Sequence, residues 1–192
     1  MRAVSAQRSR FCRRPYYGIS EIERNCNNAL IAVGLMPSSP EPIRIERFIE
    51  KYFKLSPSYE PLPPGILGFT EFRKDGVSAI VVSAALDNEA TSVAERRIRT
   101  TLAHEGGHGL LHAYLFAHGE KPPRLFDEEN NQPEIMCRDV DGVPPDKHRY
   151  DGKWWEFQAN RAIGSLYNAT SPYASGSRAV LRSGRCTRNA RH

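Results

Sequence analysis

The chain has 192 residues, 40% of them hydrophobic and 26% charged, a composition that fits one soluble domain with a compact core. No apolar run approaches the ~20 residues that cross a bilayer, so a membrane-spanning protein is excluded. The net charge of +5 lies at the two ends, because residues 1–20 and 169–192 each carry five arginines and no acidic residue. This leaves 17 of the 27 basic side chains for residues 21–168, against all 22 acidic ones, which disfavours a nucleic-acid surface on the body of the chain.

Both ends are predicted to be basic tails around a single domain. Residues 169–192 consist mainly of Ser, Gly, Arg, Ala and Asn without a hydrophobic period, so we expect them to be disordered or loosely docked. Residues 1–19 are expected to be a second disordered tail, although arginines without acidic residues are also typical of a transit peptide. The folded domain is therefore expected over residues 20–168.

The four cysteines are separated by 14, 111 and 49 residues and form no C-x-x-C pair: Cys12, Cys26, Cys137 and Cys186. A secreted disulfide scaffold would need a higher density of cysteines. The spacing therefore predicts reduced thiols in a cytoplasmic protein.

Two helices and a loop are predicted in the first third of the chain. Ser20–Leu35 has a weak helical period, and apolar residues at 43, 45, 48, 49, 52 and 53 predict a clearer helix over Pro42–Leu55. Four prolines in Ser56–Pro64 predict a loop.

A β-hairpin is predicted next. Gly65–Phe72 and Val77–Ala84 are β-leaning runs joined around Asp75-Gly76, a dipeptide typical of hairpin turns. We therefore expect at least two paired strands in this part of the chain.

The second half is predicted to contain two helices separated by a long loop. Ser92-Val93-Ala94-Glu95 is a capping-box pattern, in which the Ser hydroxyl accepts from the third amide and the Glu reaches back to the cap. It predicts a helix from Ser92 toward Gly119. Five prolines in Glu120–Asp151 predict a loop of the length that is usually functional or mobile, and Trp154–Tyr167 has the period of a further helix.

The long helix contains an H-E-x-x-H motif at His104-Glu105-Gly106-Gly107-His108. Residues four apart lie on one helical face, so both imidazoles can bind one metal ion at ~2.0–2.1 Å. Glu105 lies beside them and can act as a general base. Gly106 and Gly107 each cost roughly 1 kcal/mol inside a helix relative to Ala, which predicts a close approach by another element or a substrate.

The third metal ligand is predicted to be Glu156 on the later helix. Asn160 follows one turn later and can accept a hydrogen bond from a ligand histidine, fixing its tautomer. The metzincin pattern fails because Leu111 and Tyr114 stand where it needs Gly and His. Peptide deformylase fails as well, because no cysteine lies in its E-G-C-x-S setting. A solvated carboxylate at a helix start is the alternative interpretation of Glu156.

Other polar residues near the motif are weaker candidates. His112 lies one turn beyond His108, too far along the helix for the same ion, so it is expected to support the ligands or pack. His148, Arg149 and Tyr150 precede the ligand helix and could stabilise an oxyanion, although a solvated loop is the favoured interpretation.

The two helices together resemble the ImmA/IrrE metallopeptidase-like family, which shows H-E-x-x-H-x-x-x-H on one helix and E-x-x-A-N on a later one. The matching residues are Leu102, Ala103, His104, Glu105, His108, His112, Glu156, Ala159 and Asn160, and the likeness covers roughly residues 40–168. The resemblance implies a small α+β, zincin-like domain, with helices packed on a short antiparallel sheet and the motif on a central long helix. It also implies zinc on His104, His108 and Glu156, Glu105 as base, and peptidase activity often directed at a repressor-type regulator.

The leading hypothesis is a cytoplasmic zinc-dependent peptidase that holds an extended substrate along the edge of the hairpin. Its expected partner is a protein substrate such as a DNA-binding repressor, with no direct nucleic-acid or membrane contact. The alternative is a metal-bound regulatory or binding module that does not cleave its partner, which the presence of Glu105 disfavours. A nucleic-acid binder that uses the arginine tails is disfavoured because the tails lack interleaved aromatic residues.

Overall fold

The computed structural model describes residues 2–5, 13–39, 41–117, 134–139, 154–167 and 169. Its helices are α1 (Ile19–Ala32), α2 (Ile45–Phe53), α3 (Ala84–Asn88), α4 (Ser92–Ala117) and α5 (Trp154–Tyr167). Its strands are β1 (Arg2–Ser5), β2 (Arg13–Tyr16), β3 (Ser58–Glu60), β4 (Ile66–Arg73), β5 (Gly76–Ser83) and β6 (Glu134–Asp139). The predicted α+β class is confirmed.

The larger sheet has four strands in the order β3-β5-β4-β6. β4 pairs antiparallel with both β5 and β6, whereas β3 pairs in parallel with β5. The expected antiparallel sheet is therefore correct except for β3, which lies in the predicted loop Ser56–Pro64. Three residues between prolines carry too little period for a sequence pattern to show, and their pairing with β5 is long-range.

The predicted hairpin is confirmed as β4 and β5. Arg73 pairs with Gly76, so Lys74 and Asp75 form a two-residue turn. Gly76 has a φ of 124°, a value that L side chains rarely adopt, which explains the glycine directly after the turn.

The cap of α4 differs from the predicted capping box. The helix does begin at Ser92, but the hydroxyl that accepts from its first turn is Oγ1 of Thr91, 3.1 Å from the amide of Ala94. Thr91 also offers its carbonyl to the amide of Glu95. Both residues are good caps, and the local sequence alone does not decide between neighbouring hydroxyls.

The expected tail and loop boundaries need correction at three places. Residues 2–5 and 13–16, assigned to a disordered tail, pair as the antiparallel strands β1 and β2. Ala169, assigned to the other tail, is buried in the core. β6 lies inside the predicted loop Glu120–Asp151. The amino-acid composition of a segment does not show whether its backbone pairs with another strand. The remainder of both tails and of the loop lies outside the described residues.

The core lies around α4, which contacts both central strands and helices α1, α2, α3 and α5. Its fully buried Leu102 and Leu111 belong to one cluster that also includes Phe48, Ile49, Ile80, Val82, Ile22 and Leu30. Cys26 of α1 is a free cysteine in this cluster, and burial raises the pKa of its thiol to about 12. The reduced state expected for the cysteines is confirmed at this position.

Two adjacent glycines of α4 differ in what surrounds them. A Cβ on Gly107 would lie 2.8 Å from the Cβ of Ala162, closer than real Cβ atoms come, and 3.3 Å from the carbonyl oxygen of Ala159, a tight contact. A Cβ on Gly106 would meet only ordinary contacts at 3.8 Å. The predicted close approach therefore applies to Gly107 alone, where α5 packs backbone to backbone against α4.

This contrast predicts different effects on stability when each glycine is replaced by alanine. Gly107→Ala should lower the free energy of unfolding by roughly 1–3 kcal/mol, because the added methyl forces α4 and α5 apart. Gly106→Ala should leave it unchanged or raise it by up to about 1 kcal/mol, because alanine has the higher helix propensity. Urea denaturation followed by circular dichroism measures both, and equal effects would contradict the packing described.

Candidate metal centre

Helices α4 and α5 bring the three predicted ligands together. His104 and His108 lie one turn apart on α4, both completely buried, with ring centroids 4.7 Å apart. Glu156 lies in the first turn of α5, which packs against that face of α4. One nitrogen or oxygen from each of the three side chains lies within 4.8 Å of the others, so the group could bind a metal ion.

The separations between the donor atoms match those of a small coordination sphere. His104 Nε2 and His108 Nε2 are 3.0 Å apart. Glu156 places Oε2 at 3.1 Å from His104 Nε2 and Oε1 at 3.3 Å from His108 Nε2. Tetrahedral ligands at ~2.0–2.1 Å from zinc are about 3.3–3.4 Å apart, so the observed spacing fits an ion of this size with little rearrangement.

Asn160 occupies the place predicted for it behind His104. Its Oδ1 lies 3.1 Å from His104 Nδ1. An amide oxygen only accepts, so Nδ1 carries a proton, and Nε2 either binds an ion through its lone pair or, in the doubly protonated ring, donates to Glu156 Oε2. A metal ion in place of the Nε2 proton would be bound by the ring nitrogen and the carboxylate together.

The charge of Glu156 supports the same conclusion. Burial alone raises the pKa of this carboxyl, but the two imidazoles that contact it outweigh burial and hold the pKa well below its usual range. Glu156 is therefore ionised at neutral pH and offers both oxygens to the centre. The alternative interpretation, a solvated carboxylate at a helix start, does not describe a group held against two buried histidines.

Glu105 lies on the same turn of α4 but contacts the sheet. Its buried carboxylate accepts a hydrogen bond at Oε2 from the hydroxyl of Thr70 on β4, at 2.8 Å. The same hydroxyl lies 3.0 Å from the Glu105 carbonyl oxygen, so its single hydrogen faces two acceptors and the shorter contact is to the carboxylate. Gly68 on β4 allows α4 to lie this close to the sheet, because a Cβ there would lie 2.6 Å from Thr101 Cγ2 and 2.8 Å from the Val81 carbonyl oxygen.

His112 contacts His108 and is not among the three side chains whose donor atoms converge. Its Nδ1 lies 3.0 Å from His108 Nδ1, and its Nε2 lies 3.1 Å from Oε1 of Gln158. Burial, reinforced by the neighbouring His108, lowers the pKa of His112 to about 3, so the ring is neutral at pH 7. The edge of Trp154 packs against it with ring centroids 5.5 Å apart.

Thr70 and Gln158 are site residues that the sequence patterns did not indicate. Thr70 lies in a β-leaning run where threonine is ordinary, and its contact is 35 residues away. Gln158 lies between Glu156 and Asn160 on the predicted helix, but only the structure shows that this polar side chain is almost completely buried. The side chains of His148, Arg149, Tyr150 and Cys137 lie outside those described.

No protein-family model, curated protein or solved structure matches the chain. Within the described part of the chain, the helices include none long and apolar enough to span a membrane. What the protein binds and does is therefore inferred from its own residues.

The convergence of three donors predicts one divalent ion per chain. His104→Ala and Glu156→Ala each remove a donor and should weaken zinc binding by more than Asn160→Ala, whose loss of an outer hydrogen bond should cost roughly 10–100-fold. Competition against a chromophoric chelator measures the affinities, and Glu95→Ala, an exposed glutamate on the same helix, is the matched control. Full occupancy in a His104→Ala/His108→Ala double variant would place the ion elsewhere.

The Thr70 contact predicts a stability difference between two conservative substitutions. Thr70→Val keeps the shape of the side chain but leaves a buried carboxylate without its hydroxyl donor, which should cost about 1–3 kcal/mol of unfolding free energy. Thr70→Ser keeps the hydroxyl and should lose clearly less. Urea denaturation compares them, and an equal loss in both would show that the methyl group rather than the hydrogen bond matters.

Proposed function

We propose that the chain is a zinc-dependent peptidase, with His104, His108 and Glu156 as zinc ligands and Glu105 as its base. The observation that carries the proposal is a buried carboxylate on the same helical turn as two convergent histidine donors. Catalytic zinc sites in proteins typically have three protein ligands and one open position, whereas structural sites are closed by four. A closed structural site would also have no use for an additional buried carboxylate.

Imidazole nitrogens and one carboxylate form a donor set that suits zinc. A zinc ion bound there would polarise the scissile carbonyl and lower the pKa of water toward ~7. Glu105 takes the proton of the attacking water on its carboxylate and passes it to the leaving amine as the C–N bond breaks. Thr70 holds that carboxylate in place by donating its hydroxyl hydrogen at 2.8 Å.

The sheet changes where an extended substrate would bind. We expected the hairpin to offer an open edge, but β5 lies between β3 and β4, and β4 lies between β5 and β6. β4 is paired on both sides, whereas β3 covers β5 only over Val81–Ser83 and leaves Gly76–Ile80 without a second partner among the described strands. β6 pairs with β4, the strand that carries Thr70, and its outer edge makes no further pairing among the described strands, so we place the substrate strand at that outer edge.

The ImmA/IrrE-like motif extends the proposal to the substrate class. It favours a protein substrate such as a DNA-binding repressor, which the peptidase would inactivate by cutting one peptide bond. The alternative is a metal-bound module that binds the same partner without cleaving it. The following experiment distinguishes this module from a peptidase.

Glu105→Gln should abolish proteolysis while leaving metal binding and partner binding in place. Glutamine keeps the size of the side chain and an oxygen that can accept from Thr70, but it takes no proton at neutral pH, so turnover should fall by roughly 10²–10⁴-fold. Zinc content by elemental analysis should equal that of the unaltered protein. Cleavage is measured by mass spectrometry on a proteome-derived peptide library and on partners retained by the Glu105→Gln protein.

Two outcomes would count against the peptidase. One is a fully zinc-loaded protein that binds its retained partner but cuts neither that partner nor any library peptide, which would establish the regulatory module. The other is equal cleavage by the unaltered and Glu105→Gln proteins, which would show that another group is the base.

A further inference from the structure

A chain of three buried side chains leads away from the candidate metal centre. His108 Nδ1, on the opposite side of the ring from its donor nitrogen, lies 3.0 Å from His112 Nδ1. The other nitrogen of His112, Nε2, lies 3.1 Å from Oε1 of Gln158 on α5. All three side chains are almost completely buried, so solvent does not compete for these hydrogen bonds.

The proton positions on His112 and His108 follow from the acceptor at the end of this row of side chains, Gln158. The amide oxygen of Gln158 accepts, so the proton of a neutral His112 lies on Nε2. His112 Nδ1 then carries a lone pair and accepts from His108 Nδ1–H. A neutral imidazole has one N–H, so His108 Nε2 carries the lone pair that a metal ion requires.

We propose that Gln158, acting through His112, fixes the tautomer of His108 and so sets it as a metal ligand. Both residues are positioning residues in this scheme, since neither offers an atom to the ion. The inference rests on the metal-binding part of the proposed function and is independent of whether a peptide bond is cut.

The opposite arrangement would disable the centre. If the Gln158 side chain presented its NH₂ group to His112 Nε2, His112 would carry its proton on Nδ1 and donate to His108 Nδ1. His108 would then carry its proton on Nε2, pointing into the space between His104 and Glu156. A single amide orientation therefore separates a ring ready to bind metal from one that must first lose or move a proton.

The tautomer of His104 is set in the same way, but by one direct hydrogen bond. His104 Nδ1 donates directly to Asn160 Oδ1 at 3.1 Å, without an intervening ring. Both amides belong to α5, which also supplies Glu156. One helix thus provides one ligand and the acceptors that set the tautomers of the other two, and Asn160 is a natural control for Gln158.

Long-range ¹H–¹⁵N NMR of histidine side chains in the full-length protein tests the proposal directly. We expect His112 protonated on Nε2 and His108 protonated on Nδ1, both in the metal-free protein and after addition of zinc. His112 protonated on Nδ1, or on both nitrogens, would overturn the inference, and this holds whether or not zinc binds.

Substitution of the amide separates positioning from packing. Gln158→Glu keeps an acceptor that cannot turn into a donor while ionised, so it should preserve both tautomers and keep zinc affinity within a few-fold. Gln158→Met fills a similar volume without an acceptor, and we expect His112 to populate a second tautomer and zinc affinity to fall by roughly 10–100-fold. Asn160→Leu should alter the His104 signals and leave those of His108 and His112 unchanged.

Thermal denaturation of each metal-free variant controls for loss of the fold. Equal zinc affinity and unchanged His112 signals in Gln158→Met would overturn the proposal. A protein with the expected tautomers and tight zinc binding that cleaves nothing would overturn only the peptidase, so the two failures are distinguishable.

Discussion

The central constraint on this structure is electrostatic: two imidazole nitrogens and an ionised carboxylate converge within 3.0–3.3 Å inside the protein. Three electron-rich groups at that spacing repel one another, and burial strengthens the repulsion because water is excluded. The arrangement becomes favourable when a proton or a metal ion lies among them. The outer hydrogen bond of His104 to Asn160 sharpens this requirement, because it commits the ring proton to the side away from the centre.

The packing of α4 against α5 makes such a convergence possible. A helix pair separated by ordinary side chains would hold Glu156 too far from two histidines on the facing helix. Gly107 lies between His104 and His108 in sequence and faces Ala159 and Ala162, so small residues on both sides bring the two backbones together. Gly107 lowers the intrinsic stability of the helix, but it allows the close packing of α4 and α5 that brings Glu156 to the two histidines.

The sequence predicted the parts of the site that depend on local spacing. His104 with His108, and Glu156 with Asn160, are pairs four residues apart on helices, and helical geometry alone places each pair on one face. Thr70 and Gln158 could not be predicted in the same way, because their roles depend on which elements pack against α4. The strands β3 and β6 were missed for a related reason, since strand pairing joins residues far apart in the chain and leaves little trace in a short segment.

The long helix also separates two chemical tasks by direction. Its histidines face α5, where a carboxylate and two amides define their charge and proton positions, whereas Glu105 faces β4, where Thr70 binds its carboxylate. Residues one apart on a helix differ by about 100° around its axis, so a single turn presents donors to one neighbour and a base to another. In the proposed peptidase, a reacting peptide bond must be reached from both directions, from the histidine face of α4 and from Glu105.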